Sequence, residues 1–210
     1  MRALPRLGIA LTMPTEERIA RVTGVLSRRQ PDLRVVLEHI TNAHNANAVL
    51  RTCDAAGVLN VDVIGSDAER FEVNKAITTR ADKWLNLAFH ASTRECLAGL
   101  KAKGLKIVVT HLSVKAVDYA ELDYTRPLAI VFGNESDGIS AEALEMADAA
   151  IRVPMLGMAQ SLNLSVSAGV ILYEALRQRR AKGFLEGRRL SDEEFEALKK
   201  KWLGESENPF

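Results

Sequence analysis

Three segments of the sequence combine side chains that can bind a ligand with a position directly after strand-forming residues. The first, residues 42–58, contains Asn45 and Arg51, and its pattern predicts a helix with one apolar and one polar face. A guanidinium and an amide at a helix that follows a strand are suited to gripping a phosphate. A capping asparagine and a solvated arginine explain the same residues equally simply.

The second segment, FGNESDGIS, spans residues 132–140 and follows the hydrophobic run PLAIVF. Gly133 permits a tight turn or the close approach of a ligand to the backbone. Glu135 is either a ligand-binding carboxylate or an ordinary surface acid. The segment contains neither a Walker A sequence nor GxGxxG, which argues against a dinucleotide-dependent oxidoreductase.

The third segment, VPMLGMAQSLNLSVSAGVILYEALRQRR, covers residues 153–180. Its loop is unusually apolar, and we expect Met155, Leu156 and Met158 to wall an apolar pocket. Polar residues follow at once in SLNLS and begin a helix of the buried type. The combination favours a ligand pocket, although the spacing does not name the ligand.

The elements that position these segments alternate along the chain. Strands are predicted at 33–38, 61–65, 85–89, 106–111, 127–132 and 150–153. Helices are predicted at 15–29, 45–57, 92–103, 140–147, 162–180 and 191–202. Continuous Val and Ile runs between amphipathic helices indicate an α/β fold, a mostly parallel sheet with helices on both faces. Such sheets bind ligands at the carboxyl ends of their strands, which is where the three segments begin.

Length and composition exclude several classes of protein. The chain has 210 residues, of which 47% are hydrophobic and 26% charged, as expected for one globular domain with short appendages. It contains no apolar run of the ~20 residues that a membrane span needs, and its start lacks the features of a secretory signal. A cytoplasmic protein is therefore expected. Two cysteines and four scattered histidines predict neither a disulfide framework nor a metal site.

Charge is distributed unevenly although the net charge is only +1. Residues 1–34 carry seven basic side chains against three acidic, and residues 175–190 carry six against one. Residues 115–150 carry two basic side chains against eight carboxylates. Two interpretations stay open: the basic ends form one phosphate-attracting patch, for which Arg177, Arg179 and Arg180 are candidates, or they are solvated helix faces.

Taken together and in this order, the three segments resemble the three motifs of the SpoU (TrmH-type) branch of the SPOUT methyltransferases. The matching text is HNANAVLRTCDAAGV, VFGNESDGIS and VPMLGMAQSLNLSVSAGVILYEALRQR, and RRQPDLRVVLEHI, THLSVKAVDY and ELDYTRP are also similar. The resemblance covers roughly residues 15–205 and implies the SPOUT fold, with a deep C-terminal trefoil knot near 132–180. Residues 1–30 would be an RNA-contacting extension and helix, 31–182 the methyltransferase domain and 183–210 a linker and helix.

The activity that this resemblance implies is transfer of a methyl group from S-adenosyl-L-methionine to a ribose 2′-hydroxyl of tRNA, at the guanosine at position 18 of the D-loop. A homodimer with the active site at the subunit interface is also implied. The family positions around the methyl acceptor fall on Arg51, Asn45, Glu135, Ser161 and Asn163. The family positions that hold the cofactor fall on Thr110, Gly133, Val153, Met155 and Leu162.

The role of Arg51, which matches the family's catalytic arginine, needs interpretation because a guanidinium stays charged in proteins and is a poor base. We interpret it as gripping the adjacent phosphate and orienting the hydroxyl, with the phosphate as a second candidate for taking the proton. The sequence leaves that choice open. Alternative functions are methylation of a ribose in rRNA, and RNA binding without catalysis. Residues 1–14 have no assigned role.

Overall fold

Seven parallel strands form one sheet within the residues that the computed structural model describes, which are 14–65, 81–113 and 115–204. The strands are β1 (Gln30–Glu38), β2 (Val58–Ile64), β3 (Asn86–His90), β4 (Lys106–Thr110), β5 (Val117–Asp118), β6 (Leu128–Phe132) and β7 (Ala149–Arg152). Their order across the sheet is β3-β2-β1-β6-β4-β7-β5, and each neighbouring pair is parallel. The predicted α/β class is confirmed, and all six predicted strands are present. The two-residue β5 was not predicted.

Helices connect β1 to β2, β3 to β4 and β6 to β7, and others precede or follow the strands of the sheet. In the described part of the chain they are α1 (Glu16–Leu26), α2 (Ala43–Ala55), α3 (Thr93–Ala102), α4 (Ala141–Met146), α5 (Leu164–Ala181) and α6 (Asp192–Leu203). Each predicted helix is found, and the capping box at Ser191 is present. Asn42, not Asn45, caps α2, since its side chain accepts from the backbone N–H groups of His44 and Asn45. No helix in the described ranges is long and apolar enough to cross a membrane.

Alternation along the strands places one apolar layer on each face of the sheet. On β6, Leu128, Ile130 and Phe132 belong to the layer under α2 and α5, while Ala129 and Val131 belong to the layer under α3 and α4. All five are buried, which explains why the strand reads as a continuous hydrophobic run. The sheet thus fixes the direction in which each loop at its carboxyl edge leaves the core.

The first and last described helices pack against each other rather than against the main core. Val22 and Leu26 of α1 share an apolar cluster with Phe195 and Trp202 of α6. The Trp202 ring meets the Trp84 ring edge-on, with 5.3 Å between the centroids. The last helix, which follows the linker, therefore has a packing partner outside the main core.

Two arginines from the basic segments are buried and hold the fold together. Arg179 is 0% exposed; its Nε donates to the Tyr124 carbonyl at 2.8 Å, and its Nη1 pairs with Asp32 at 2.7 Å. Arg29 is 1% exposed and pairs with Asp54. The interpretation that Arg179 belongs to a phosphate-attracting patch is therefore wrong, because its guanidinium bonds to internal carbonyls and to Asp32. Removing one partner from such a buried pair is strongly destabilising.

A second polar network joins β1, β2 and β3, the three neighbouring strands at one edge of the sheet. The buried Asp62 of β2 accepts from Arg34 Nε at 2.9 Å, and His90 Nε2 lies 2.9 Å from its other oxygen. The Cys96 thiol lies within 4.8 Å of the Asp62 and His90 ligand atoms, so the histidines are not all scattered as the sequence suggested. Burial, and then Asp62, raise the pKa of that thiol to about 12. The Cys96 thiol therefore stays protonated, and the Asp62 carboxylate is paired with Arg34. We interpret the network as a structural link between the strands.

Candidate active site

A cavity of about 700 Å³ opens at the carboxyl ends of β4, β6 and β7, beside the first turns of α2 and α5. Its volume lies within the range usual for small-molecule sites. Nine of the ten residues singled out in the sequence line it: Asn45, Thr110, Gly133, Glu135, Val153, Met155, Ser161, Leu162 and Asn163. The fold therefore gathers three segments that are far apart in the sequence into one site, and Arg51 is the exception.

The loop after β6 is a tight hairpin that presents Glu135. The backbone N–H of Asn134 donates to the Gly138 carbonyl at 2.9 Å, and the reverse bond is also 2.9 Å. A Cβ on Gly133 would lie 2.2 Å from the Gly138 carbonyl oxygen, and Gly138 has a φ of +72°. Larger residues at these two positions would open the turn. The hairpin therefore depends on both glycines to hold Glu135 at the cavity.

A chain of hydrogen bonds joins the three segments across the cavity mouth. Asn163 Nδ2 donates to Asn45 Oδ1 at 3.1 Å, and Asn45 Nδ2 donates to Glu135 Oε1 at 3.0 Å. The backbone N–H and the hydroxyl of Thr41 donate to the other Glu135 oxygen, each at 3.4 Å. Each asparagine side chain accepts a hydrogen bond through its oxygen and donates one through its nitrogen. The Glu135 carboxylate is therefore held in one orientation.

Local sequence explains why Asn163 can take part in this chain. It caps α5, and its Oδ1 accepts from the Ser165 backbone N–H at 2.8 Å and the Ser165 hydroxyl at 2.7 Å. With the oxygen engaged at the helix end, the amide nitrogen is left to point toward Asn45. Ser161 lies two residues earlier, among the residues that line the cavity.

Several of the residues that line the cavity are apolar and can contact a heterocycle. They are Val153, Met155 and Leu162, together with Ile139 and Ile151. Thr110, at the end of β4, also lines the cavity, and its hydroxyl donates to the Val131 carbonyl at 3.2 Å. An apolar slot beside a carboxylate, Glu135, fits a ligand with an aromatic base and a positive charge.

Two of the three apolar residues expected to line this pocket do not line it. Leu156 and Met158 are both 101% exposed, and neither lines the cavity. Of the three residues expected to form the wall, only Met155 does so. The loop turns the other two outward, where no part of the described chain covers them.

Arg51 lies outside the cavity of its own chain. It is an exposed residue of α2, six positions beyond Asn45 and therefore about 9 Å further along the helix axis and on a different face. The structure does not bring it to the other nine residues within one chain.

Three further residues of the site were missed by the sequence motifs. Thr41, His111 and Arg152 line the cavity, and none was predicted. Thr41 and His111 each lie just beyond the end of a strand, and Arg152 is the last residue of β7. Inspection of every residue at a strand's carboxyl end would have found all three.

Comparison with known proteins agrees with the geometry. The profile of the SpoU rRNA Methylase family matches residues 32–173, more than half of the chain and all of the segments that build the cavity. The chain belongs to the SpoU methylase family. Within this family, the tRNA (guanosine(18)-2′-O)-methyltransferase of Aquifex aeolicus is 43% identical over 190 residues, covering 90% of both chains. The enzyme of the same description from Escherichia coli K12 is 44% identical over 166 residues, 79% of this chain and 72% of the relative.

Solved structures of SpoU methylases share the fold. The A. aeolicus TrmH/SpoU tRNA modifying enzyme superposes with a TM-score of 0.84 at 43% identity, covering 90% of this chain and 96% of that one. An AdoMet-bound rRNA methyltransferase from Sinorhizobium meliloti superposes with a TM-score of 0.64 at 30% identity, covering 76% of this chain and 60% of that one. The family thus includes members solved with S-adenosylmethionine in place.

Proposed function

We propose that this protein methylates the ribose 2′-hydroxyl of guanosine 18 in tRNA, with S-adenosyl-L-methionine as methyl donor. The observation that carries the proposal is the single cavity that gathers nine motif residues from three distant segments. Relatives of that description, 43% and 44% identical over most of the chain, support the substrate. A tRNA substrate is also in keeping with a cytoplasmic protein.

The cofactor's place in this proposal is the apolar slot. Val153, Met155 and Leu162 would pack against the adenine, and the backbone of Gly133 and Thr110 would approach it closely. When bound, S-adenosylmethionine supplies a methyl group on a positively charged sulfur. Glu135, held at both oxygens at the cavity mouth, would attract this charge and so favour binding of the cofactor. Residues 132–180 would form the trefoil knot that encloses this slot.

The methyl acceptor would enter beside the amide chain. Asn45, Asn163 and Ser161 offer hydrogen-bond groups that can orient a ribose hydroxyl toward the slot. A 2′-hydroxyl is a weak nucleophile until its proton leaves. Arg51 would grip the neighbouring phosphate with its planar fork and hold the hydroxyl in line, and that phosphate is one acceptor for the proton.

A homodimer would bring Arg51 to the cavity of the partner subunit. Exposed apolar side chains support this assembly: Leu156 and Met158 lie beside the cavity, and Val166 and Tyr173 lie on α5 at 50% and 52% exposure. Apolar groups spaced seven residues apart fall on one face of a helix. Exposed apolar residues in such a group typically mark a contact with another protein.

The direct test is transfer of a labelled methyl group to unmodified tRNA. We expect label at guanosine 18 and no loss of activity in EDTA, since transfer from a sulfonium needs no metal. Binding of S-adenosylmethionine, measured by calorimetry, should be equally insensitive to the chelator. Label in rRNA alone would favour the rRNA alternative, and RNA binding without transfer would favour the non-catalytic one.

The tRNA surface needs a new set of residues because Arg179 is buried and Arg177 pairs with Glu174. Arg179 Nη1 also lies 3.5 Å from Gln30 Oε1, so the end of α5 packs beside the start of β1. Arg180 and Lys182 follow Arg179 closely in the chain, Arg28 precedes Gln30 by two residues, and all three are exposed. Arg2 and Arg6 lie outside the described residues.

Replacing Arg28, Arg180 and Lys182 with alanine together should weaken tRNA binding and flatten its salt dependence. For each tRNA phosphate that the variant no longer neutralises, the slope of log affinity against log salt should fall by roughly 0.7–0.9. The affinity for S-adenosylmethionine should not change, because none of the three lines the cavity. Arg177→Ala is the matched control, since Glu174 already neutralises that guanidinium. An unchanged slope in the triple variant would place the tRNA surface elsewhere.

A further inference from the structure

A buried carboxylate without a basic partner lies directly behind the active-site hairpin. Glu38, the last residue of β1, is 1% exposed, and no ion pair within the described residues involves it. Its Oε2 accepts from the Ser140 backbone N–H at 3.0 Å. Its Oε1 accepts from the hydroxyls of Ser140 and Thr93, at 2.6 and 2.9 Å. Burial of a carboxylate is costly unless such bonds replace its hydration.

The Ser140 bonds fix one end of the loop that forms the active site. Ser140 closes the loop that begins at Gly133, and it caps α4 by accepting from the Ala143 N–H at 3.0 Å. Glu38 therefore anchors the point where the loop becomes a helix. Thr93, by contrast, begins α3 and contacts no part of the loop in the hydrogen bonds of the described chain.

The residues that follow Glu38 hold the rest of the same loop. The His39 carbonyl accepts from Asn134 Nδ2 at 2.8 Å, and Thr41 donates to Glu135. His39 has a φ of +52°, the only positive φ at a non-glycine residue in the described ranges. A backbone strained in this way persists only where its surroundings impose it. Residues 38–41 thus hold the hairpin at its start, at Glu135 and at its end.

We propose that Glu38 is a positioning residue for methyl transfer. Through Ser140 it holds the loop from Gly133 to Ser140 in the shape that receives S-adenosylmethionine and presents Glu135. This inference rests on the proposed function and adds to it a residue that does not line the cavity. Bonds from neutral donors to a buried carboxylate are among the stronger hydrogen bonds in proteins, so their loss is felt at the loop.

The test compares four variants of the full chain by calorimetry with S-adenosylmethionine and by methyl transfer to tRNA. Glu38→Ala should raise the Kd for S-adenosylmethionine by about tenfold or more, because two loop donors lose their acceptor. Glu38→Gln should recover most of the affinity, since its oxygen can accept from the Ser140 N–H while its amide faces the two hydroxyls. Thr93→Val, the matched control, removes one bond to the same carboxylate and should leave the Kd within about twofold.

Ser140→Ala keeps the test decisive if Glu38→Ala fails to fold. It should raise the Kd several-fold, whereas Thr93→Val should not; each variant deletes one hydroxyl bond to Glu38 Oε1, and Ser140→Ala also deletes the cap of α4. An equal Kd in both, or unchanged affinity in a folded Glu38→Ala, would overturn the proposal. A wild-type chain that binds S-adenosylmethionine but does not methylate tRNA would contradict the proposed function, and the affinity comparison would still decide the role of Glu38.

Discussion

Arg51→Ala is expected to lower methyl transfer to tRNA by about a hundredfold or more, while the Kd for S-adenosylmethionine stays within about twofold. The first effect follows from losing the group that aligns the acceptor. The second follows from the position of Arg51 outside the cavity of its own chain. Single-turnover methyl transfer and calorimetry on the same preparation measure the two quantities.

Arg51→Lys should restore little of this activity, because lysine has the charge without the planar bidentate fork. Arg94→Ala is a suitable control, since Arg94 is an exposed arginine paired with Glu142 and Glu145. Full activity in the lysine variant would indicate that charge alone is sufficient. Full activity in the alanine variant would remove Arg51 from the reaction.

Mixed dimers of two inactive variants should regain activity. In a dimer of Arg51→Ala with Glu135→Ala, one site combines an intact cavity with the intact arginine of the other subunit, and the second site lacks both groups. If the subunits assort at random, half of the dimers are mixed, and each mixed dimer has one working site of two. About a quarter of wild-type activity should therefore return. The variants should be co-produced and their activity compared with that of each variant alone.

Glu135 suits this experiment because it is exposed on its hairpin, so its truncation should not disturb the core. Activity that stays at the level of the single variants would mean that each site is built within one chain. A monomeric mass in sedimentation would give the same answer independently.

Local sequence was sufficient to predict the strands and helices. It did not predict the contacts between residues that are far apart in the chain. The strands were predictable because both faces of the sheet are covered, as on β6. Asn45 was a plausible cap because Asn42, Asn45 and Asn47 are all good capping residues, and in the structure Asn42 begins the helix. The amide chain to Glu135 then depends on that choice.

The burial of Arg179 could have been predicted from its position in the helical pattern, which a count of charges does not consider. Ala168, Leu172, Ala175 and Arg179 follow each other at intervals of four, three and four residues, the spacing of one helix face, and all four are buried. The arginine therefore belongs to the apolar face of α5, and periodicity would have separated it from exposed Arg180. The network of Arg34, Asp62 and His90 had no comparable signal, because it depends on the register of three strands.

During synthesis on the ribosome, α1 is made long before α6, the helix against which it packs. Val22 and Leu26 emerge early, but their apolar partners Phe195 and Trp202 are made about 170 residues later. Until then, the partners that this cluster offers α1 within the described residues are Leu59 and Trp84. Arg18, which donates to the Trp202 carbonyl at 3.1 Å, likewise waits for the last helix. A nascent chain thus completes its sheet first and closes this cluster last, so a ribosome that stalls before Trp202 leaves α1 without most of its packing.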